Sequence, residues 1–325
     1  MNANRYALSA ADAAVVAEMR AASAEHKSDL FGPEARSNSD AELAAAPPAP
    51  QEISYQHGTV AGVPGWWVRP VNATPGARLL YLHGGGFVLG SATATRHFAA
   101  HLALRIRAEA FVPDYRLAPE NPFPAAVEDA VKVYDALSAT AEKIVVSGDS
   151  AGGGLALALL GTLAGRDEKQ RQPVGVAVFS PWADLALTGD SYISRAEADP
   201  FVSKATLKHF ADQYLKGTDP TNPAASPLYG LTPRTSIPVR IDVGNHEILF
   251  DDSVRYAEKL TRAGLSVSLN IWDGMGHGFQ AAIGVLGNSA TAIEDVGAFL
   301  QSCLLSVSNN SRTDARYHAS KQLPL

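Results

Sequence analysis

The sequence predicts an α/β fold, with a mostly parallel central sheet flanked by helices and a helical cap drawn from the N-terminus and from an insertion. Three observations predict it. From residue 79 to residue 179 short apolar runs of strand length alternate with segments of helical periodicity, the pattern of a parallel sheet covered on both faces. Three apolar runs, residues 79–82, 144–146 and 268–272, lead straight into glycine-rich loops, and in open parallel sheets the functional loops follow the carboxyl ends of the strands. The chain has 325 residues, 46% of them hydrophobic, enough to bury one large undivided core.

Taken in order, residues 7–30 read as an alanine-rich helix, and Pro47, Pro48 and Pro50 break the pattern before strand-like segments begin at Ile53 and Trp66. Residues 1–50 are therefore expected as cap helices and 51–184 as the first part of the α/β core. Within that part strands are expected at 79–82, 110–113, 144–146 and 174–179. One helix covers 93–107, and a second carries Val127, Val131 and Tyr134 at helical spacing. After Asp184 the alternation stops, and a helix-like stretch at 204–215 with a Pro/Asn-rich loop marks an insertion, 185–236, expected over the site as part of a lid. The core resumes over 237–307 with strands at 239–244 and 267–272, a helix at 253–260 and a late apolar helix holding Cys303. The polar stretch 308–325 is expected to be a disordered tail.

Composition narrows the function classes. The net charge is -6, from 27 Lys+Arg against 33 Asp+Glu, and the basic residues are scattered, so neither nucleic acid nor an anionic membrane is an expected partner. Residues 7–24 are interrupted by Asp12, Glu18 and Arg20, which leaves no apolar h-region, and nothing approaches about 20 consecutive apolar residues. A soluble cytoplasmic protein is expected. Cys303 is the single cysteine, so no internal disulfide follows; no metal-ligand motif such as H-E-x-x-H is present either, and neither metal nor cofactor is expected.

The chemistry is carried by three loops. Gly148-Asp149-Ser150-Ala151-Gly152 follows the run 144–146 and precedes Gly153-Gly154-Leu155-Ala156-Leu157. A strand, a turn with nearly bare residues two before and two after the serine, and a small-residue helix form an elbow that lifts a nucleophilic Oγ above the sheet. The helix N-terminus aims amides and its positive dipole end at the same point. His83-Gly84-Gly85-Gly86-Phe87 follows the run 78–82. Backbone donors can approach a developing oxyanion only where no Cβ intervenes, so Gly84 and Gly85, with the amide of Ala151, are expected to form an oxyanion hole. A phosphate loop is excluded: no Gly-Lys-Ser/Thr follows, and Leu89 stands where a dinucleotide fingerprint needs glycine. His277 lies in Asp273-Gly274-Met275-Gly276-His277-Gly278-Phe279 after the run 268–272. An imidazole there titrates near neutrality and can serve Ser150 as general base. His83 precedes the serine and is expected to order its loop. Phe87, Phe201, Phe210 and Phe279 are the candidate lining of an apolar substrate pocket.

With Asp114-Tyr115-Arg116-Leu117-Ala118-Pro119-Glu120 between the first two loops, the chain resembles, over residues 53–304, the hormone-sensitive lipase family of α/β-hydrolase carboxylesterases. The resemblance implies the α/β-hydrolase fold and a serine esterase that cleaves small short- to medium-chain acyl esters through an acyl-enzyme. It also implies a triad acid on the loop after the strand at 239–244. The family usually carries Asp-Pro-Leu there, whereas this chain has Asn245-His246-Glu247-Ile248-Leu249, which makes Glu247 the acid position for position. Asp251 is the competing candidate; with Asp252 it is otherwise explained as a helix cap. Lactone or amide hydrolysis needs no different triad. Plant gibberellin receptors, which resemble the same family, lack the triad histidine that His277 supplies here. Relatives often form homodimers through an edge strand, and 267–272 is apolar enough to pair.

Overall fold

The computed structural model describes residues 3–25, 32–44, 47–49, 53–166, 171–233 and 237–306. The strands are β1 (Asn4–Tyr6), β2 (Ile53–Val60), β3 (Val63–Pro70), β4 (Ala77–Leu82), β5 (Glu109–Pro113), β6 (Lys143–Asp149), β7 (Gly175–Phe179), β8 (Val239–Gly244) and β9 (Val267–Trp272). They form one sheet in the order β1-β9-β8-β7-β6-β4-β5-β3-β2. Only the pairings β2 with β3 and β3 with β5 are antiparallel. β6 thus lies in the interior, between β4 and β7, and delivers its carboxyl end to the middle of the sheet.

Strand side chains alternate between two apolar layers, as a sheet buried on both faces requires. Leu80 and Leu82 of β4, Val146 of β6 and Val176 and Val178 of β7 pack with α4 (Ala125–Thr140), α5 (Ser150–Ala164), α7 (Lys204–Leu215) and α8 (Phe250–Arg262). Leu79, Tyr81, Val145, Ala177 and Phe179 pack with α3 (Ala92–Ile106) and α9 (Gly287–Leu305), where Cys303 is a buried packing residue. Between β7 and β8 lie α6 (Ser191–Ser194) and α7. Among the described residues no helix is long and apolar enough to cross a membrane.

Three expectations change. The helix read over residues 7–30 is α1 (Ala10–Glu25), and strand β1 precedes it. β1 runs parallel to β9, with Asn4, Arg5 and Tyr6 opposite Asn270, Ile271 and Trp272, so 267–272 is not a free edge along its second half and cannot pair there with another copy. Asp251 and Asp252 lie in the first turn of α8, where they compensate its dipole, but neither makes a capping hydrogen bond. Asp251 Oδ2 accepts the Ser191 amide at 2.9 Å, while buried Asp252 accepts the amides of Ala183 and Asp184, both at 2.8 Å, and the Tyr192 hydroxyl at 2.7 Å. The tail read at 308–325 lies outside the described residues. A second short helix near the N-terminus, α2 (Arg36–Leu43), follows a turn at Pro33–Ala35.

Candidate active site

The elbow forms where β6 ends. Ser150 takes φ +53°, a left-handed conformation that a serine adopts only under constraint. Its carbonyl accepts the Trp182 amide at 2.9 Å. The first turn of α5 presses against the end of β4: a Cβ on Gly152 would fall 2.2 Å from the Leu82 carbonyl oxygen, so only glycine fits two residues after the serine. As the second residue of α5, Ala151 carries an amide with no acceptor inside the helix.

The loops after β8 and β9 are laced together. Gly244 stands so close to Met275 that a Cβ would fall 2.2 Å from its carbonyl oxygen, and the His246 amide donates to the same oxygen at 3.0 Å. Asn245 accepts the Gly274 amide at 2.7 Å and donates to Asp273 at 2.9 Å. This lacing places His277 Nε2 3.0 Å from Ser150 Oγ and His277 Nδ1 2.8 Å from Glu247 Oε2. A carboxylate at Nδ1 holds the N–H on that nitrogen and leaves Nε2 to accept from the serine hydroxyl. Glu247 is fully buried, and its Oε1 accepts the Ser180 hydroxyl at 2.8 Å and the Gly244 amide at 3.0 Å. Burial pushes the Glu247 carboxyl above the usual range, against the pull of His277 and Ser180. Burial also disfavours the imidazolium of His277, but the bond to Glu247 and the charges of Glu247, Asp199 and Asp149 outweigh it and hold His277 above its ordinary value. Asp251 makes no contact with His277; its carboxylate faces Ser191.

The glycine loop is oriented by its neighbours. His83 Nδ1–H donates to the Gly84 carbonyl at 2.7 Å, its ring stacks on Tyr115 at 4.3 Å, and the Tyr115 hydroxyl donates to the His83 carbonyl at 2.7 Å. Burial lowers the His83 pKa, in keeping with a neutral, loop-ordering imidazole. The expectation for Gly84 is corrected: its amide donates to Asp149 Oδ1 at 3.1 Å, an oxygen that also accepts the Tyr81 hydroxyl at 2.6 Å. Gly85 and Gly86, at φ +115° and +62°, donate their amides to no acceptor among the described residues.

Of the four phenylalanines, Phe87 is the most deeply buried. It is buried, stacked on Tyr214 with ring centroids 4.0 Å apart. Phe210 sits against the glycine loop, where a Cβ on Gly86 would meet its ring at 2.3 Å. Phe201, 47% exposed, and buried Phe279 line a small cleft with Met19, Arg20, Met275 and Gly276, the last next to His277. Sequence reading missed Arg36, whose Nε donates to the Val88 carbonyl at 2.8 Å while Nη2 reaches Ala118 O at 2.8 Å and both Nη atoms bracket Glu120 at 2.8 and 2.9 Å. Among the described residues no group of three or more His, Cys, Asp or Glu is placed to hold a metal ion.

Residues 79–281 match the alpha/beta hydrolase fold family. An acetyl-hydrolase of Streptomyces hygroscopicus is 41% identical over 239 residues, 72% of this chain and 78% of that one. An esterase of Acinetobacter venetianus is 34% identical over 251 residues, 75% and 80% of the two chains. The crystal structure of an esterase from the bacterial hormone-sensitive lipase family superposes with a TM-score of 0.82 at 34% identity, covering 91% of this chain and 99% of that one. With this fold, these loops and these relatives, the chain belongs to the α/β-hydrolase fold family, within its hormone-sensitive lipase-like branch of bacterial esterases.

Proposed function

We propose that this protein is a serine carboxylesterase for short- to medium-chain acyl esters, with Ser150 as nucleophile, His277 as general base and Glu247 as the acid that orients it. The observation that carries this reading is the unbroken chain of hydrogen bonds from Ser150 Oγ through His277 to Glu247, at 3.0 and 2.8 Å. His277 Nε2 takes the serine proton as Oγ attacks the ester carbonyl, and the amides of Gly85, Gly86 and Ala151 receive the oxyanion. His277 then returns the proton to the leaving alcohol. An acyl-enzyme remains, and water, deprotonated by the same imidazole, releases the acid.

The cleft bounded by Phe201 and Phe279 borders the His277 loop and is lined mainly by apolar side chains, which favours small apolar substituents over charged ones. α1 and the segment between β7 and β8 supply several of its walls and act as the cap that sets chain-length preference. Initial rates on p-nitrophenyl esters from acetate to laurate test the reading. Activity that peaks at short to medium chains and falls by about 10⁴-fold or more in Ser150→Ala is expected; no turnover at any length, or undiminished turnover in the variant, overturns it.

A further inference from the structure

We propose that Asp199, in the segment joining β7 to β8, is a positioning residue of the catalytic relay: it holds the backbone that carries Glu247 and adds a second buried carboxylate to the cluster. The inference rests on reading Ser150, His277 and Glu247 as that relay. Asp199 is 3% exposed. Its Oδ1 accepts the amides of Phe201 and Val202 at 2.9 and 3.0 Å, and its Oδ2 accepts the Ile248 amide at 3.0 Å. Ile248 directly follows Glu247, so one side chain ties the wall of the substrate cleft at Phe201 to the backbone of the orienting acid.

The surrounding contacts fix the same few residues from other directions. Ser191 Oγ donates to the Ile248 carbonyl at 2.6 Å, Arg195 donates to the Asn245 carbonyl, and Arg20 of α1 joins Ala198 O at 2.7 Å to His246 Nδ1 at 3.0 Å. The loop 245–248 is therefore braced by the segment between β7 and β8 as well as by the loop after β9. A buried acceptor whose donors are three backbone amides is expensive to replace, because any neutral substitute leaves at least one amide without a partner.

Electrostatics adds a signature that a mere brace would lack. The charged groups facing His277 are Glu247 from the loop after β8, Asp199 from the segment before α7 and Asp149 from the end of β6, all of which favour the imidazolium. The other titratable groups of the cluster are Arg5, Arg20, Arg195, His246, Asp251 and Asp273. Removing the Asp199 charge lowers the His277 pKa and moves the acid limb of kcat/KM to lower pH.

The test is Asp199→Asn, which keeps the shape, removes the charge and turns an NH₂ group toward an amide donor. Expected are a kcat lower by roughly 10- to 100-fold, as for a misplaced catalytic group, a KM within about twofold, and an acid limb displaced by on the order of half a pH unit toward acid. Asp199→Ser repeats the test if the asparagine variant does not fold: its hydroxyl can still serve the Phe201 and Val202 amides but abandons Ile248 and the charge. Native kcat with a native acid limb overturns the inference, and so does a loss of kcat with an unmoved acid limb and a lowered Tm, which marks a structural brace only. Ser150→Ala and Glu247→Gln run in the same assay keep the two readings apart. Activity surviving in Ser150→Ala defeats the esterase relay itself, whereas inactive Ser150→Ala and Glu247→Gln beside a native-like Asp199→Asn defeat only the role of Asp199.

Discussion

Gly84 donates its amide to Asp149 Oδ1 at 3.1 Å, a bond between residues 65 positions apart that joins the glycine loop to the residue immediately before the nucleophile. Asp149 therefore sets the loop, and Tyr81, donating to the same oxygen at 2.6 Å, sets Asp149. Asp149→Ala releases both donors, and the Gly85 and Gly86 amides lose their aim. Steady-state rates should show kcat down by roughly 10- to 100-fold with KM little changed, since oxyanion donors act on the transition state. A native kcat would mean that the loop holds its course without this anchor.

Glu247 and Asp251 can be separated directly. Glu247→Gln keeps the size of the side chain but allows the wrong imidazole tautomer, so kcat should fall by about 10³- to 10⁴-fold. Asp251 is bonded to the Ser191 amide at 2.9 Å, while the two ring nitrogens of His277 are taken by Glu247 and Ser150, so Asp251→Ala should remain within a few-fold of native. The opposite ranking in an ester-hydrolysis assay would transfer the acid role to Asp251.

The pH profile follows from the sign of the His277 shift. The base must be neutral to accept the serine proton, and its pKa is held above the ordinary 6.5, against burial, by Glu247 with Asp199 and Asp149. Activity is thus complete at alkaline pH and lost as pH falls through a midpoint above 6.5. Because His277 and Glu247 are coupled, that midpoint belongs to the pair. A kcat/KM acid limb centred at or below 6.5 would mean that burial of the imidazole outweighs the three carboxylates.

Parts of this site were readable in the sequence because they obey local rules. The elbow needs bare residues at fixed offsets from Ser150, and the close approach of Gly152 to Leu82 O shows why. His277 was readable from a strand that opens into glycines, and Glu247 from its match, position for position, to the acid that the family resemblance implies. The Gly84 amide was misassigned because a backbone-to-side-chain bond across 65 residues leaves no local trace. The bonds of Asp199 to the Ile248 amide and of Arg36 to the Val88 and Ala118 carbonyls were missed for the same reason: they reach backbone groups of distant loops, which no side-chain pattern announces. β1 was missed because Asn4-Arg5-Tyr6 has neither the length nor the apolar alternation of a strand; it exists through its pairing with β9.

The phenylalanines divide by environment, and substitution should divide them by effect. Phe201→Ala enlarges the cleft beside Gly276, so the preferred p-nitrophenyl ester should lengthen while thermal stability stays near native, the ring being half exposed. Phe87→Ala empties a buried site stacked on Tyr214 and should destabilise by about 3–5 kcal/mol, a fall in Tm on the order of 10 °C. If Phe87→Ala instead shifts chain-length preference at unchanged Tm, Phe87 lines the substrate site after all.

β1 makes the last prediction, about association. Tyr6 stacks on Trp272 with ring centroids 3.9 Å apart, its hydroxyl donates to Asp295 at 2.8 Å, and the Asp273 amide donates to the Tyr6 carbonyl at 2.9 Å. Arg5 adds an ion pair with Asp273. The chain thereby satisfies, from its own N-terminus, the backbone groups that Asn270, Ile271 and Trp272 would otherwise present to a second copy, and an uncovered strand edge is a template for pairing. Removing residues 1–8 uncovers that edge together with the buried ring of Trp272. Sedimentation velocity at micromolar concentration should find the full chain monomeric and the shortened chain self-associating, with the tryptophan emission of the shortened chain red-shifted where Trp272 meets water. Sheet continuation through the second half of β9 requires β1 to leave, so a full-length dimer that keeps the Tyr6 contacts, read by an unchanged Trp272 environment in Tyr6→Phe, would have to use a different surface.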